Sequence, residues 1–454
     1  MLPADAWAKD PDIAIRMSDG VEIAANLYLP DGDPPQGGWP AVMLLHGIGE
    51  SRADGDNALG MSINSLAEGF LRPQGYAVLT FDARGHGASG GVVAVDGPRE
   101  IADVRELFEW LASRPHVNRS RIGAFGYSYV EGVPFAAIAP AVCWTDLYQA
   151  LVPQDLARSG VIVGFYQSIA GRVAPEVDPI LRAALAGQDL GRVRAFAAER
   201  SSRPRLSSLT VPTFMLQGRR DFAFDLEHAL SAYRLLRGPK RLYLADFGHA
   251  PSAKPGDEPD YVLPQARAWF DRFLKGLPNG VDRRPPVELA PDPWTGRTFS
   301  YARPPIPKLV RAAFPGRPVT IGSRGKLSRT WRLPRRRLET FGAPTVRLKL
   351  ASTTRWPHVV AVLSAVTPQR REIVVSAGGA RVRLTRRART VVLRLISQAT
   401  NIPPGSRLRL TVAAASTAQN PGNLLYLTSV PSSARLTIVA AGATMPVLAK
   451  PVSR

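Results

Sequence analysis

The sequence predicts an α/β body built on a parallel sheet, followed by an all-β antiparallel sandwich. Three observations point there. Up to about residue 284, short apolar runs alternate with helical stretches. Beyond it the helical period disappears and apolar residues alternate with Arg, Lys or Thr. The charge divides at the same place: residues 281–454 hold 30 Lys and Arg against 5 Asp and Glu, leaving 28 against 32 before them. A segment of net charge +25 thus follows one of −4, and a chain of 454 residues is long enough for two or three domains.

In the first part the strands are read from AVMLLH (41–46), YAVLTF (76–81), RIGAF (121–125), PTFMLQ (212–217) and RLYLAD (241–246). Such runs, apolar throughout and separated by helices, suit strands buried on both faces of a parallel sheet. IADVRELFEWLASR is the clearest helix: Ile101, Val104, Leu107, Phe108 and Leu111 share one face, behind Pro98 and Glu100 at its start. YQALVPQDLARSG and PILRAALAGQ supply further helical stretches between 147 and 209. The Pro-rich stretch 283–307 leads into the second part, where GAP, SAGG and PPG separate TVRLKL, RVRL and SRLRLTV. There Arg347, Arg381, Arg383, Arg407 and Arg409 fall opposite Val346, Leu348, Val382, Leu384, Leu408 and Leu410, so they are expected to face water. A solvated face whose charges discourage edge pairing explains them. A surface for anionic polymers or membranes is the sharper alternative, but aromatic residues for base stacking are sparse among these arginines, and nucleic acid is not the expected partner.

Composition narrows the class. A hydrophobic content of 45% is that of a soluble globular protein. MLPADAWAKDPDIAIRM has no apolar run of signal-peptide length, and no window reaches the roughly 18 apolar residues of a membrane span, so a cytoplasmic location is expected. Cys143, the single cysteine, excludes an internal disulfide and reads as a small buried apolar residue.

The chemistry gathers at the ends of the predicted strands. LLHG (44–47) closes one strand, FDARGHGASGG (81–91) follows the next and GYSY (126–129) the third; Asp221 lies just beyond PTFMLQG, and His249 follows RLYLADFG. A serine on a tight strand-to-helix turn needs small neighbours to stand clear of the backbone, and Gly126 meets that need on one side. The order Ser, Asp, His is the one found in α/β-hydrolases. All these groups emerge at the C-terminal edge of the sheet, where ligands bind in open α/β folds.

On MSDGVEIAANLYLP (17–30), HGIGES, GYAVLTFDARGHGASGG, GYSY, APAVCWTDL, VPTFMLQGRRD and DFGHAP, the chain resembles the family of cocaine esterase and Xaa-Pro dipeptidyl-peptidases. That resemblance, which runs over nearly the whole chain, implies an α/β-hydrolase core (1–146 and 210–284), a helical cap (147–209) and a C-terminal jelly-roll-like β-sandwich (285–454). It implies Ser128 as nucleophile, Asp221 as the acid that orients the imidazole and His249 as general base. The oxyanion hole it implies uses the N–H groups of Tyr129 and Ile48. The expected substrate is a small molecule or a peptide, cleaved at an ester or amide bond without metal or organic cofactor.

Rival assignments stay open. Asp225 and Asp246 compete with Asp221, although Asp246 stands only three residues from His249. His46, His86, His116, His228 and His358 read as structural, His46 with a role in shaping the oxyanion turn, and Arg84 and Ser89 as braces of the loop after the second strand. The elbow itself departs from the family pattern, because Glu131 stands where a glycine is expected and Gly132 comes one place late. Only about ten residues join the third strand to the next, and Pro134 lies among them. No full-length helix fits there, so either a short irregular elbow presents Ser128 or the chain is a catalytically impaired relative with a binding or structural role.

Overall fold

The computed structural model describes residues 9–54, 60–126, 133–249, 252, 256–354, 356–415 and 430–453. Ten strands form the first sheet: β1 (Lys9–Arg16), β2 (Glu22–Tyr28), β3 (Trp39–Leu45), β4 (Ala77–Phe81), β5 (Val117–Gly126), β6 (Ala137–Pro140), β7 (Thr213–Gly218), β8 (Lys240–Ala245), β9 (Val287–Leu289) and β10 (Phe299–Tyr301). Their spatial order is β1-β2-β4-β3-β5-β6-β7-β8-β9-β10. From β4 to β9 all neighbours run parallel, with antiparallel pairs only at the two edges. Every residue of β3, β4 and β7 is buried, as expected of runs without polar alternation.

Among the described residues eight α-helices surround this sheet and its insertion: α1 (Ile63–Leu66), α2 (Pro98–Ala112), α3 (Leu147–Leu151), α4 (Ser159–Ser168), α5 (Val177–Ala186), α6 (Leu190–Glu199), α7 (Leu226–Leu235) and α8 (Glu258–Leu274). The face of α2 read from the sequence is the one that packs: Val104, Leu107, Phe108 and Leu111 join Met43, Leu79 and Ala124 in one core. On the opposite face, α8 brings Trp269 and Phe270 against Val42, Leu44 and Phe214. The helices α3 to α6 lie between β6 and β7 in the chain and pack on one another through Val152, Ile180, Ala184 and Val193.

The parallel neighbours β5 and β6 are joined by residues 127–136, too few for a crossover helix with its two turns. Residues 133–136 are not helical; Phe135 instead sets its ring edge-on to Phe108, centroids 5.5 Å apart. A cavity of about 310 Å³ opens beside it, walled by Ile138, Leu209, Met215, Ala229 and Leu236.

The last part of the chain is a two-sheet antiparallel sandwich. One sheet holds β11 (Lys308–Ala313), β12 (Val319–Gly322), β15 (Thr345–Ser352), β18 (Arg389–Arg394) and β21 (Arg435–Val447); the other holds β13 (Lys326–Arg332), β16 (His358–Val366), β17 (Glu372–Arg381) and β20 (Arg407–Ala413). A short pair, β14 (Leu338–Glu339) and β19 (Asn401–Ile402), lies apart. Val346, Leu348, Leu408 and Leu410 form the core between the sheets. Arg347, Arg381, Arg383 and Arg407 are exposed, and Arg409 is half-buried beside Glu372, 3.0 Å away. The expected outward face is therefore present. Among the described residues no helix is long and apolar enough to cross a membrane.

The sandwich is clasped to the first sheet through the residues after β7. Arg219 and Glu339 form an ion pair with no solvent exposure on either side chain, and Arg219 Nε donates to the Ala399 carbonyl at 2.9 Å. The Ala399 N–H returns a bond to the Arg219 carbonyl at 2.8 Å. Gln398 Nε2 donates to the carbonyls of Arg220 at 2.8 Å and Asp221 at 3.2 Å. The insertion is tied as well, since Gln154 bonds the carbonyls of Gly379 and Arg394 and accepts from the Arg394 N–H.

Candidate active site

The candidate site draws on the C-terminal ends of β3, β4, β5, β7 and β8, with β6 lying between β5 and β7. After β3, His46 accepts the Ala83 N–H on Nε2 at 2.8 Å, which leaves the proton on Nδ1 to bond the Gly47 carbonyl at 2.7 Å. Burial pushes its pKa down to about 4, so the ring is neutral and fixes the turn. Within that turn the Gly47 N–H donates to Glu50 Oε2 at 3.0 Å. Gly49 has φ +80°, and a Cβ on it would lie 2.3 Å from Ser168 Oγ at the end of α4, so the turn packs against the insertion only because this residue is glycine. Among the described residues no acceptor takes the Ile48 N–H.

The loop after β4 braces this turn. Asp82 takes the Arg52 N–H at 2.7 Å and its guanidinium, together with the Ala88 N–H at 2.9 Å. Arg84 reaches Asp103 on α2 at 2.7 Å, and Ser89 bonds the Asp82 carbonyl at 2.6 Å and the Ala24 N–H at 2.9 Å. Both residues are braces, as their place in the sequence suggests. At the end of β5, Gly126 lies so close to β3 that a Cβ on it would stand 2.4 Å from the Leu45 carbonyl oxygen. Ser128 and Tyr129, the expected nucleophile and oxyanion donor, lie outside the described residues.

Asp221 and His249, the expected acid and base, follow β7 and β8. His249 Nδ1 lies 2.7 Å from Asp221 Oδ2, which also accepts the His249 N–H at 3.2 Å. The other oxygen, Asp221 Oδ1, accepts the N–H groups of Ala223 and Phe224, each at 2.8 Å. Asp221 is 1% exposed, whereas the His249 side chain keeps 32% of its surface open. Part of the imidazole is thus reachable and the Asp221 carboxylate is not. Burial disfavours the charged ring, but Asp221, with a smaller contribution from Glu50, outweighs it and holds the His249 pKa above the ordinary histidine value. Phe165 and Phe224 stand edge-on to the ring, with centroids at 6.0 and 5.2 Å. These edge-to-face contacts hold its plane without competing for its nitrogens.

The rival groups are engaged elsewhere. Asp225 accepts the Glu227 N–H at 3.0 Å at the start of α7 and the Ser397 N–H at 2.7 Å. Asp246 accepts the Trp294 N–H at 3.0 Å, and burial raises its pKa to about 6. His228 lies buried against the Thr145 N–H at 3.2 Å, His86 against the Arg84 carbonyl at 3.0 Å, His358 against the Ala414 carbonyl at 2.6 Å and His116 edge-on to Trp39. Cys143 is half-buried, its Sγ 3.0 Å from the Ala141 carbonyl.

Sequence reasoning missed Glu50 and the two phenylalanines. Glu50 stands in the HGIGES segment, but no spacing rule marks a carboxylate there, and Phe165 and Phe224 belong to stretches whose approach only the fold creates. Among the described residues no group of three or more His, Cys, Asp and Glu side chains could hold a metal ion. Beyond the two phenylalanines and Ile48, the insertion encloses a second cavity, of about 100 Å³.

Comparison with known proteins follows the same line. The sequence profile of the X-Pro dipeptidyl-peptidase (S15) family matches residues 19–251. A putative Xaa-Pro dipeptidyl-peptidase of Bacillus anthracis is 23% identical over 306 residues, 56% of this chain and 49% of that protein. Cocaine esterase of Rhodococcus sp. is 34% identical over 151 residues, 31% of this chain and 24% of that one. The matched stretches thus span half or less of these curated relatives. Among solved structures, a CocE/NonD family hydrolase from Staphylococcus aureus superposes with a TM-score of 0.76 at 15% identity, covering 97% of this chain and 94% of that one. An α-amino acid ester hydrolase gives 0.67 at 16% identity, covering 98% of both chains. At such identities the likeness is one of fold: an α/β-hydrolase with an all-β antiparallel domain.

Proposed function

The chain belongs to the X-Pro dipeptidyl-peptidase (S15) family, and from that membership we propose that it is a serine hydrolase cleaving ester or amide bonds, Xaa-Pro dipeptidyl bonds among the candidates, through an acyl-enzyme. The observation that carries this is the 2.7 Å contact between His249 Nδ1 and a fully buried Asp221. It leaves Nε2 as the nitrogen that can take a proton. Ser128 Oγ would attack the carbonyl carbon while His249 removes its proton, and Asp221 would stabilise the imidazolium. The ring then protonates the leaving alcohol or amine as its bond to the acyl carbon breaks. Water, deprotonated in turn by His249, releases the acid and restores the serine. The N–H groups of Tyr129 and Ile48 would hold the oxyanion, and each such donor is typically worth about 100- to 1000-fold in rate.

Labelling by a fluorophosphonate probe, abolished in Ser128→Ala, is the expected result. Unlabelled protein with an intact fold would reject the proposal. One observation favours a second reading, a non-catalytic relative that binds rather than cleaves: the ten-residue join between β5 and β6 leaves no room for the helix whose positive end usually faces the oxyanion. The same probe separates the two.

A further inference from the structure

The roughly 100 Å³ cavity in the insertion opens onto the same residues that border His249. Phe165 and Phe224, which stack on each other at 5.7 Å, meet the imidazole on one side and line the cavity on the other. Ile48, whose N–H is the expected oxyanion donor, lines it too, as do Trp144, which packs against Phe224 at 5.1 Å, Ile180 and Val193. No Asp, Glu, Lys, Arg, Ser or Thr is among its described walls. The polar atoms that approach it are already occupied. Trp144 Nε1 donates to the Arg200 carbonyl at 2.8 Å, and the hydroxyls of Tyr148 and Tyr166 bond Asp155 and Asp178 at 2.8 and 2.9 Å.

We infer that this cavity is the acyl pocket and that the preferred substrates are esters of short, uncharged aliphatic acids rather than peptides with a free α-amino group. The inference rests on the acyl-enzyme reading above. An acyl group whose carbonyl is held at the Ile48 N–H beside His249 would send its chain past Phe165 and Phe224 into the cavity. An ammonium group there would be stripped of water with no carboxylate to meet it, which is strongly unfavourable. Glu50, the other carboxylate that acts on His249, does not line the cavity and is engaged by the Gly47 N–H. Size sets the chain length. A cavity of roughly 150 Å³ lined by Leu, Ile and Phe takes a benzene ring, so about 100 Å³ suits about four carbons beyond the carbonyl. In the reaction the ester C–O bond breaks, the Ser128 O–C bond forms, the proton passes through His249 to the alcohol, and water then releases the carboxylic acid.

The test is a series of p-nitrophenyl esters from acetate to decanoate, with the norvaline ester as the pentanoate analogue that adds only an ammonium group. Expected is a rise in kcat/KM of about fourfold per methylene up to about pentanoate, followed by a fall, with the norvaline ester at least about tenfold poorer than pentanoate. Ala184→Leu, which adds bulk to the cavity wall, should move the optimum to shorter chains. Independently of turnover, pentanamide should change the emission of Trp144, and the change should be absent in Trp144→Phe. Hydrolysis without chain-length preference, or preference for the norvaline ester, overturns the pocket assignment and leaves the hydrolase reading standing. Pentanamide binding without hydrolysis of any ester does the reverse. Neither binding nor hydrolysis overturns both.

Discussion

Glu339→Gln should disturb the centre from a distance of 118 positions along the chain. Glu339 pairs with Arg219, two residues before Asp221, and both side chains are fully buried. It also accepts the Val452 N–H at 2.6 Å, the Ser453 N–H at 3.0 Å and the Ser453 hydroxyl at 2.7 Å. Removing one partner of a buried pair leaves the other charge bare and costs about 3–5 kcal/mol. The amide keeps one acceptor oxygen and turns an NH₂ toward a nest of donors, which places the loss near the middle of that range, about 4 kcal/mol. Against a net stability of about 5–15 kcal/mol that is a large share. Urea unfolding of Glu339→Gln, Arg219→Met and the double variant measures it. Each single change should be severe, and the double change milder than either, because it leaves no unpaired charge. Single losses below about 1 kcal/mol, or a double loss equal to the sum, would refute the reasoning. The pH dependence has a definite sign. Burial works against the Glu339 charge, Arg219 outweighs it, and the pKa lies below the ordinary carboxylate value. Its contribution is therefore complete above about pH 4.3 and is lost as pH falls through the depressed folded value.

Four further outcomes are expected. Asp221→Asn should lower kcat by about 10⁴ in pre-steady-state ester hydrolysis while the chain stays folded, because the amide favours the wrong imidazole tautomer. The acid limb of the kcat/KM profile should lie above about pH 6.5, since the raised His249 pKa keeps the base protonated to higher pH. Glu50→Gln removes one of the charges that raise it, so the limb should move to lower pH; an unmoved limb would reject that role for Glu50. Gly126→Ala should cost about 1–3 kcal/mol in thermal unfolding and reduce labelling at Ser128, because the new Cβ would lie 2.4 Å from a backbone oxygen that cannot move aside.

The parts legible in the sequence are those that local physics encodes. The runs AVMLLH and YAVLTF read as buried strands because they lack polar alternation, and they became β3 and β4. Arg347 and Arg407 read as outward because their neighbours alternate with them. Asp221 and His249 were found by their positions after strands, and the fold brings them to 2.7 Å. The Pro-rich stretch 283–307 hides two short strands, β9 and β10, that complete the first sheet; three residues are too few to show a period. The Arg219–Glu339 clasp joins residues with no local signal at either end, and only tertiary packing reveals it.

That clasp has a bearing on how the protein comes into being. Synthesis delivers residues 219–221 to solvent well before Glu339, Gln398 and Ala399, and the backbone groups of 452 and 453 that complete the Glu339 shell come later still. A nascent chain would therefore hold Asp221 by its local bonds to Ala223 and Phe224 alone, without the Gln398 and Ala399 contacts that brace residues 219–221. The order of translation thus leaves the surroundings of residues 219–221 incomplete until the sandwich closes on them.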